Sequence, residues 1–143
     1  MNNIKFEVIE YGKDKHKKAL KLRKQVLYDA IGIMPSNYID EESHIQIAGF
    51  INEELVATCS LVPENNDCRM RFVAIKDTLQ GSGVGSLMLS FFEEQARLKN
   101  FKSIYCHARD TAIKFYSKNG YKAEGEMFEQ VTIPHVKMRK VLI

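Results

Sequence analysis

Long apolar runs, tryptophan and paired cysteines are missing from this 143-residue chain. No apolar stretch approaches the roughly 20 residues that span a bilayer, and the first residues lack the apolar segment of a signal peptide. Cys59, Cys68 and Cys106 are odd in number and show no C-x-x-C spacing, which argues against a disulfide framework and a metal site. We therefore expect a cytoplasmic protein with reduced cysteines, no membrane contact and no bound metal.

Charge of one sign is also scarce. The chain has 21 Lys and Arg residues against 18 Asp and Glu residues, a net charge of +3. This excess is too small and too dispersed to indicate nucleic-acid binding. Its main local run, Lys13 to Lys24, is typical of a solvated helix face. Because no linker, repeat or low-complexity tract interrupts the sequence, we expect a single domain over residues 1–143.

The most informative stretch runs from Arg71 to Leu98. Phe72 to Ile75 is a continuous apolar run, which predicts a strand buried on both faces. A glycine-rich turn, Gln80 to Ser86, separates this strand from an amphipathic helix. The apolar face of that helix comprises Val84, Leu87, Met88, Phe91, Phe92 and Ala96. The first N–H groups of a helix lack partners within it, and glycine admits phosphate oxygens close to the backbone, so the turn is expected to bind phosphate or pyrophosphate.

Spacing separates several alternatives for this turn. A P-loop requires Lys and then Ser or Thr after the last glycine, whereas Ser86 and Leu87 follow Gly85. A dinucleotide fingerprint requires a third glycine where Ser86 stands, and it directly follows a strand, whereas Lys76 to Gln80 intervene here. The remaining pattern is Gln-x-x-Gly-x-Gly, and an ordinary glycine-rich strand-to-helix turn stays open beside it.

This pattern resembles the acetyl-coenzyme A signature, Arg/Gln-x-x-Gly-x-Gly/Ala, of the GNAT N-acetyltransferase superfamily. A second block at residues 112–121, Ala-Ile-x-x-Tyr-x-Lys-x-Gly-Tyr, resembles the downstream block of the same superfamily and lies at the expected distance. Ile-Pro-His-x-x-Met at residues 133–138 and Leu-Arg-x-x-Val at residues 22–26 resemble the ElaA-like branch. Two blocks in the right order make the superfamily resemblance specific.

The resemblance implies an α/β (α+β) acyl-CoA N-acyltransferase fold, in which a mixed, bent sheet has helices on both faces. Its element order is β-αα-βββ-α-β-α-ββ. The sequence pattern predicts strands at residues 4–9, 45–51, 55–63, 68–75, 103–108, from 121 onward and within 131–141, and helices at 15–30, 84–98 and from 110 or 111 to 118. Asp14 is the expected N-cap of the first helix, and Gly120 is expected to adopt a left-handed conformation.

The resemblance also implies residue roles. The turn would bind the cofactor pyrophosphate, the preceding strand would pair with the pantetheine, and a backbone N–H would polarise the thioester carbonyl. Tyr116 matches the superfamily tyrosine that protonates the leaving thiolate, although a core aromatic is the alternative. The implied cofactor-binding residues are Val73, Ala74, Ile75, Gln80, Gly81, Ser82, Gly83, Val84, Gly85, Ser86, Arg109, Ala112 and Phe115.

The general base for the amine is left open by the sequence. Glu129, His135, Glu126, His107 and Asp40 are candidates, and histidine has the suitable unperturbed pKa. We take Glu129 and His135 as the base candidates. Superfamily members often act without a fixed base, and each of these residues also has a structural interpretation.

Two positions depart from the superfamily pattern. Arg109 stands where an asparagine commonly helps to hold the cofactor, so that contact is expected to differ. Gln80 replaces the commoner arginine, which removes a charge from the pyrophosphate site and is expected to lower affinity. Arg23 is expected either at the edge of the core or in the substrate cleft.

Residues 31–43 are expected to form a loop or broken helix over the acceptor site. The acidic run within it, Asp40 to Glu42, would attract a cationic amine or, as we favour, form a solvated turn. The sequence assigns no role to Tyr38 or His44.

These observations predict an acetyl-CoA-dependent N-acetyltransferase that acts on a small-molecule or peptide amine. Two alternatives stay open. One is a GNAT-fold enzyme with another acyl donor or a non-amine acceptor, and the other is a coenzyme A-binding sensor or interaction module without catalysis. A nicotinamide-dependent oxidoreductase is a more distant alternative. The acceptor, the acyl-chain preference and the oligomeric state, a homodimer included, are left open.

Overall fold

A computed structural model describes residues 3–32, 40 and 42–142 of the chain. Its helices and strands in chain order are β1 (Lys5–Ile9), α1 (Asp14–Arg23), β2 (Ile45–Ile51), β3 (Glu54–Glu64), β4 (Asp67–Ile75), α2 (Val84–Leu98), β5 (Ser103–Arg109), α3 (Ile113–Lys118), β6 (Lys122–Gln130) and β7 (Ile133–Val141). The predicted strands and the glycine-led helix agree with these bounds to within one or two residues. No helix in the described ranges is long and apolar enough to cross a membrane.

The seven strands form one mixed sheet in the order β1-β2-β3-β4-β5-β7-β6. Only the central β4–β5 pair is parallel. α2 buries Met88 and Phe92 against one side, which we call the α2 face. α1 buries Ala19 and Leu22 against the other side, the α1 face. The expected fold, a mixed sheet with helices on both faces, is confirmed.

The left-handed conformation expected at Gly120 is confirmed, and the β2–β3 turn also contains left-handed residues. Asn52 and Glu53 both have positive φ, 48° and 68°, in the two-residue connection of the β2–β3 hairpin. Gly120 has φ of 92° just after α3. The predicted helix cap is wrong, because Lys13 is the N-cap of α1 and Asp14 is the first helical residue, and no side chain caps this end.

The first helix changes form after Arg23, although the sequence pattern predicted a regular helix to residue 30. Lys24–Tyr28 is π-helical and Asp29–Ile31 is a 3-10 turn. The wider π turn shifts the buried face by about one residue. Tyr28 is therefore buried, whereas Ala30, at the end of the predicted helix, is exposed.

β4 contains a bulge at the centre of the sheet. Thr58 of β3 pairs with Ala74 and Ser60 pairs with Arg71, so one residue of β3 faces two residues of β4. Phe72, within the bulge, has a φ of 56°, which is rare for an aromatic residue in a strand. Such a bulge increases local twist and redirects the side chains that follow it.

The bulge exchanges the two faces of β4. Met70 before it packs in the α2-face core, whereas Ala74 after it packs against α1. Val73 and Ile75 consequently lie only half-buried on the α2 face. The expectation that Phe72 to Ile75 is buried on both faces is therefore wrong, because alternate residues border an opening in the sheet.

That opening arises where β4 and β5 separate. The two strands pair from Asp67 with Ser103 to Met70 with Cys106, and the ladder goes no further. β4 continues to Ile75 and β5 to Arg109 without pairing to each other. The edge of β4 beyond Met70 therefore faces a gap in the middle of the sheet.

Candidate active site

A cleft of about 660 Å³ occupies the gap between β4 and β5. The glycine turn and α3 border it from the α2 face, and the π segment after α1 borders it from the α1 face. The ends of β6 and β7 close its third side through Gln130 and His135. The chain thus brings its sequence motifs, which are far apart along the chain, to one cavity.

The glycine turn at the start of α2 leaves backbone donors open. Gly81 and Gly83 have φ of 79° and 94°, a region that residues with a Cβ rarely adopt. Gly83 is the N-cap of α2, and no side chain caps this end of the 15-residue helix. The first N–H groups of α2 and its dipole therefore remain available to an anion.

Gly85 is required for a different reason, which is space. A Cβ on Gly85 would lie 2.9 Å from Cζ of Phe115 and 3.1 Å from Cδ1 of Ile75. The absence of a side chain therefore allows the first turn of α2 to approach α3 and the end of β4. All three residues line the cleft.

The other implied cofactor-binding residues take different positions. Gln80, Ser86, Ala112 and Val73 also line the cleft, whereas Ala74 and Val84 are buried in the cores on opposite faces. The side chains of Ala74 and Val84 are thus outside the cleft lining.

Two side chains of the turn form hydrogen bonds within the loop. Nε2 of Gln80 donates to the carbonyl oxygen of Ile75 at 3.1 Å and to the carboxylate of Asp77 at 3.2 Å. The Ser82 hydroxyl donates to the carbonyl oxygen of Leu79. Both side chains therefore fix the shape of the turn.

Tyr116 lies in the wall of the cleft and is only 6% exposed. Its ring packs edge-on against Phe115 and Tyr121. Burial, together with the nearby thiols of Cys106 and Cys59, raises the pKa of Tyr116 well above its ordinary value. Burial also raises the pKa of Cys106 to about 12. Both groups therefore keep their protons across the physiological range.

His135 is oriented as a neutral imidazole with one free nitrogen. Its Nδ1 lies 2.7 Å from the carbonyl oxygen of Ile133, which can only accept, so Nδ1 carries the proton. Nε2 has no partner among the described residues. Burial lowers the pKa of His135, and the charges of Arg109 and Arg69 add to this effect. The lone pair of Nε2 is thus available at neutral pH.

His107 also lines the cleft, but its Nδ1 is engaged. That nitrogen lies 2.9 Å from Nη2 of Arg69 and 2.8 Å from Oε1 of Gln130. Burial lowers the pKa of His107. A guanidinium only donates and an amide oxygen only accepts, so Nδ1 is engaged by one of these two partners in either tautomer.

The carboxylates named as base candidates lie outside the cleft lining. Glu126 and Glu129 are exposed on β6. Asp40 lies 3.0 Å from Nη1 of Arg23 and 2.8 Å from Nε2 of His16, and its side chain is 4% exposed. Asp40 is therefore part of a buried ion pair, which corrects the expectation of a solvated acidic turn for this residue.

The remaining residues of the acidic run and its loop are described only in part. Glu42 is exposed, and Glu41 and Tyr38 lie outside the described residues. Arg23 is fully buried, so it lies neither at the edge of the core nor in the cleft.

Three arginines border the cleft, and the sequence analysis assigned a role to only one of them. Arg69 and Arg71 lie on β4 before the bulge, and Arg109 ends β5. Nη2 of Arg109 donates to the carbonyl oxygen of Leu27 at 2.9 Å, so its guanidinium is directed to the α1 face. The i, i+2 spacing of Arg69 and Arg71 on one strand was the available signal, since it places both on one face.

The sequence matches the acetyltransferase (GNAT) domain family over residues 13–142. The chain belongs to the GNAT acetyltransferase family. The Bacillus subtilis (strain 168) protein YyaT is 26% identical over 127 residues, which cover 85% of this chain and 86% of YyaT. The family assignment confirms the resemblance on which the expected fold depended.

Solved structures show the same GNAT fold. A Lactobacillus plantarum protein matches with a TM-score of 0.89 at 23% identity, covering 99% of this chain and 100% of its own. ElaA of Escherichia coli matches with a TM-score of 0.85 at 20% identity, covering 96% and 99%. An aminoglycoside 6'-N-acetyltransferase, solved with coenzyme A, matches with a TM-score of 0.80 at 13% identity, covering 97% of each chain.

Proposed function

We propose that this protein is an N-acetyltransferase that transfers the acetyl group of acetyl-CoA directly to an amine. The observation that carries the proposal is the uncapped, glycine-led start of α2 beside the unpaired edge of β4. The start of α2 would bind phosphate oxygens, and the edge of β4 would pair with an extended chain that carries amides. Coenzyme A has both parts, and it is the ligand in the related aminoglycoside acetyltransferase structure.

The glycine turn and the edge of β4 would bind acetyl-CoA mainly through backbone groups. The N–H groups from Gly83 to Ser86 would bind the pyrophosphate, because the open end of a helix is a ready anion site. Val73 and Ile75 would flank the pantetheine, since the β4 edge there lacks a strand partner. A β4 N–H directed at the thioester carbonyl would stabilise the oxyanion by a few kcal/mol, about 3 or 4.

The proposed transfer forms a C–N bond, breaks a C–S bond, removes two protons from the acceptor ammonium, adds one proton to the leaving sulfur and releases one to solvent. The amine nitrogen bonds to the acetyl carbon, and the carbon–sulfur bond of the thioester breaks. Tyr116 donates its phenolic proton to the departing thiolate and recovers one from solvent. The raised pKa of Tyr116 ensures that this proton is present at neutral pH.

His135 is the base that we propose for the incoming ammonium. Its Nδ1–H is fixed by the Ile133 carbonyl, which leaves the Nε2 lone pair to accept a proton. Its lowered pKa keeps the ring neutral near pH 7. His107 is less suitable, because Arg69 and Gln130 both contact its Nδ1. Glu129, the other base candidate, is exposed on β6 and outside the cleft lining.

Calorimetric titration with acetyl-CoA tests the donor half of the proposal. We expect saturable binding to the wild type and loss of binding in Gly83→Val, because valine cannot adopt the φ of 94° found there. Glu94→Gln, on the exposed side of the same helix, is the matched control and should bind normally. Absence of binding to the folded wild type would overturn the proposal.

Mass spectrometry of amine mixtures incubated with acetyl-CoA tests the transfer. The expected product is an amine heavier by one acetyl group, formed together with one free thiol of coenzyme A. Tight binding of acetyl-CoA without transfer to any member of a broad amine panel would favour the non-catalytic coenzyme A-binding alternative.

A further inference from the structure

The part of the cleft on the α1 face has a marked excess of positive charge. Arg69, Arg71 and Arg109 all line it, and no Asp or Glu is among its described lining residues. None of the three guanidiniums has a carboxylate oxygen within 4.0 Å in the described part of the chain. The lining therefore lacks the negative charge that usually accompanies half-buried arginines.

Arg23 of α1 and Arg139 of β7, in contrast, are paired with carboxylates. Arg23 lies 3.0 Å from the carboxylate of Asp40, and Arg139 pairs with both Asp67 and Glu124. Asp67 and Arg69 lie on the same strand, so carboxylates are present close to the cleft in sequence. Among the buried and half-buried arginines of the described residues, those without a carboxylate partner are thus the three that line the cleft.

The contacts of the three arginines leave most of their donors open. Arg69 uses Nη2 for His107, and its buried Nε has no partner. Arg71 stacks on Phe72, with Cζ 4.4 Å from the ring centre. Arg109 uses Nη2 for the Leu27 carbonyl. A guanidinium has five N–H donors in a planar fork, and this fork matches carboxylate or phosphate oxygens in pairs.

The electrostatics of the cleft favour the binding of an anion. Burial lowers the pKa of Arg71, and repulsion from Arg69 is the next largest cause. The charge of Arg69 also contributes to the lowered pKa of both His107 and His135. A bound anion would offset the repulsion and the partial desolvation at once.

The donor phosphates do not account for this charge. Arg69 and Arg71 precede the bulge and lie with the π segment and Leu27 on the α1 face, whereas the glycine turn lies on the α2 face. From Arg71 to Ile75 the strand alone covers about 13 Å at roughly 3.3 Å per residue. Arg69 and Arg71 are thus separated from the proposed pyrophosphate site both along the strand and by the face of the sheet on which they lie.

We propose that the acceptor is an amine that also carries a carboxylate or a phosphate, and that Arg69 and Arg71 bind this anionic group. Arg109 completes the positive wall from β5. This inference rests on the proposed acetyl transfer and specifies its acceptor class. It replaces a cationic acceptor attracted by the acidic run, because Asp40 is already paired with Arg23 and His16.

Matched acceptor pairs test the inference in the acetyl-transfer assay. One pair is 2-aminoethyl phosphate against 2-aminoethanol, and a second set is free amino acids against their carboxamides. We expect kcat/KM to be at least about 100-fold higher for the anionic member of a pair, since bidentate charged contacts are strong. The two sets distinguish phosphate from carboxylate as the preferred group.

Substitutions of the arginines test whether they cause the preference for anionic acceptors. Arg71→Gln and Arg69→Gln should lower kcat/KM for anionic acceptors about 30-fold or more and change it little for their neutral partners. Arg71→Lys should recover part of the loss. Arg97→Gln, on the exposed side of α2, is the control and should behave as the wild type.

The outcomes separate this inference from the proposed function. Equal or faster acetylation of the neutral members, or equal losses for both members in Arg71→Gln, would overturn the anionic acceptor while leaving acetyl transfer intact. Failure to bind acetyl-CoA would instead overturn the proposed function. A readout without acetyl transfer is the thermal midpoint in inorganic phosphate, which should rise more for the wild type than for the variant Arg69→Gln/Arg71→Gln.

Discussion

Nη1 of Arg23 lies 3.0 Å from Oδ2 of Asp40, and neither side chain is more than 4% exposed. Nη2 of Arg23 also donates to the Ser60 hydroxyl at 3.1 Å, and the guanidinium lies 4.0 Å from the centre of the Phe72 ring. The pair thus connects α1, the chain at residue 40 and the bulge of β4. It stabilises the segment that carries the arginine-lined wall.

We predict that Arg23→Met or Asp40→Asn lowers the free energy of unfolding by about 3 to 5 kcal/mol, because each leaves an uncompensated buried charge or polar group. Urea denaturation measures the change. Lys24→Ala is the control, since Lys24 forms an exposed pair with Asp29 that contributes about 1 kcal/mol or less. Losses below 1 kcal/mol for both buried variants would contradict the prediction.

Tyr116→Phe is expected to lower kcat about 100-fold with little change in the KM for acetyl-CoA, because the substitution removes only the proton donor. Steady-state kinetics measure both constants. Tyr121→Phe is a matched control. The Tyr121 hydroxyl donates a hydrogen bond to Glu93, and Tyr121 is not among the residues that line the cleft. An unchanged kcat in Tyr116→Phe would show that another group protonates the thiolate.

His135 should impose the acid limb of the pH profile. Only the neutral imidazole accepts a proton, and burial places its pKa below the ordinary 6.5. The wild-type kcat/KM is therefore expected to fall as pH drops through a value below 6.5. The limb should disappear in His135→Gln and persist in His107→Gln. A limb that survives in His135→Gln would exclude this base.

Gly85→Ala tests the close approach of α2 to α3. The added Cβ would lie 2.9 Å from Phe115, so we expect overpacking to lower stability by about 1 to 3 kcal/mol and to weaken acetyl-CoA binding. Gly85→Ala/Phe115→Leu should recover part of both losses by removing the ring. Denaturation and calorimetry provide the two readouts. A further loss of stability and of acetyl-CoA affinity in the double variant would show that steric contact with Phe115 is not the cause.

Stability should decline in mild acid. The pKa values of His107 and His135 are lowered in the folded state, so the unfolded chain binds protons more readily once pH falls below about 6.5. Above that pH both histidines are neutral in either state and their contribution is constant. We expect the thermal midpoint to fall between pH 7 and pH 5, and to fall less in His107→Gln/His135→Gln. A flat midpoint over this range would contradict both shifts.

The strands and α2 were predictable because their signals are local. Apolar alternation, the Asn-Glu turn after Ile51 and the glycines before Val84 each act within a few residues. The bulge at Phe72 was not predictable, since it depends on how β3 and β4 pair across the sheet. The π segment at Lys24–Tyr28 has the same origin, because tertiary packing decides which residues the helix end buries.

The side of the cleft that holds the glycine turn and Tyr116 was predictable from the sequence, and the arginine-lined side was not. The glycine turn and Tyr116 belong to short motifs with fixed spacing. Arg71 and Arg109 come from strands that meet only in the folded sheet, so their shared charge has no sequence signature. Asp40 shows the converse, because an acidic run suggests a solvated turn until a buried arginine is found beside it.

Because of its bulge, β4 directs its odd-numbered residues to one side of the sheet before the bulge and to the other side after it. Arg69 and Arg71 face one side of the sheet, and Val73 and Ile75 face the other, although all four are odd-numbered. Substitutions in the first pair leave the second pair in register. The charge of the arginine-lined side can therefore be changed by substitution while the backbone of the glycine-turn side keeps its architecture.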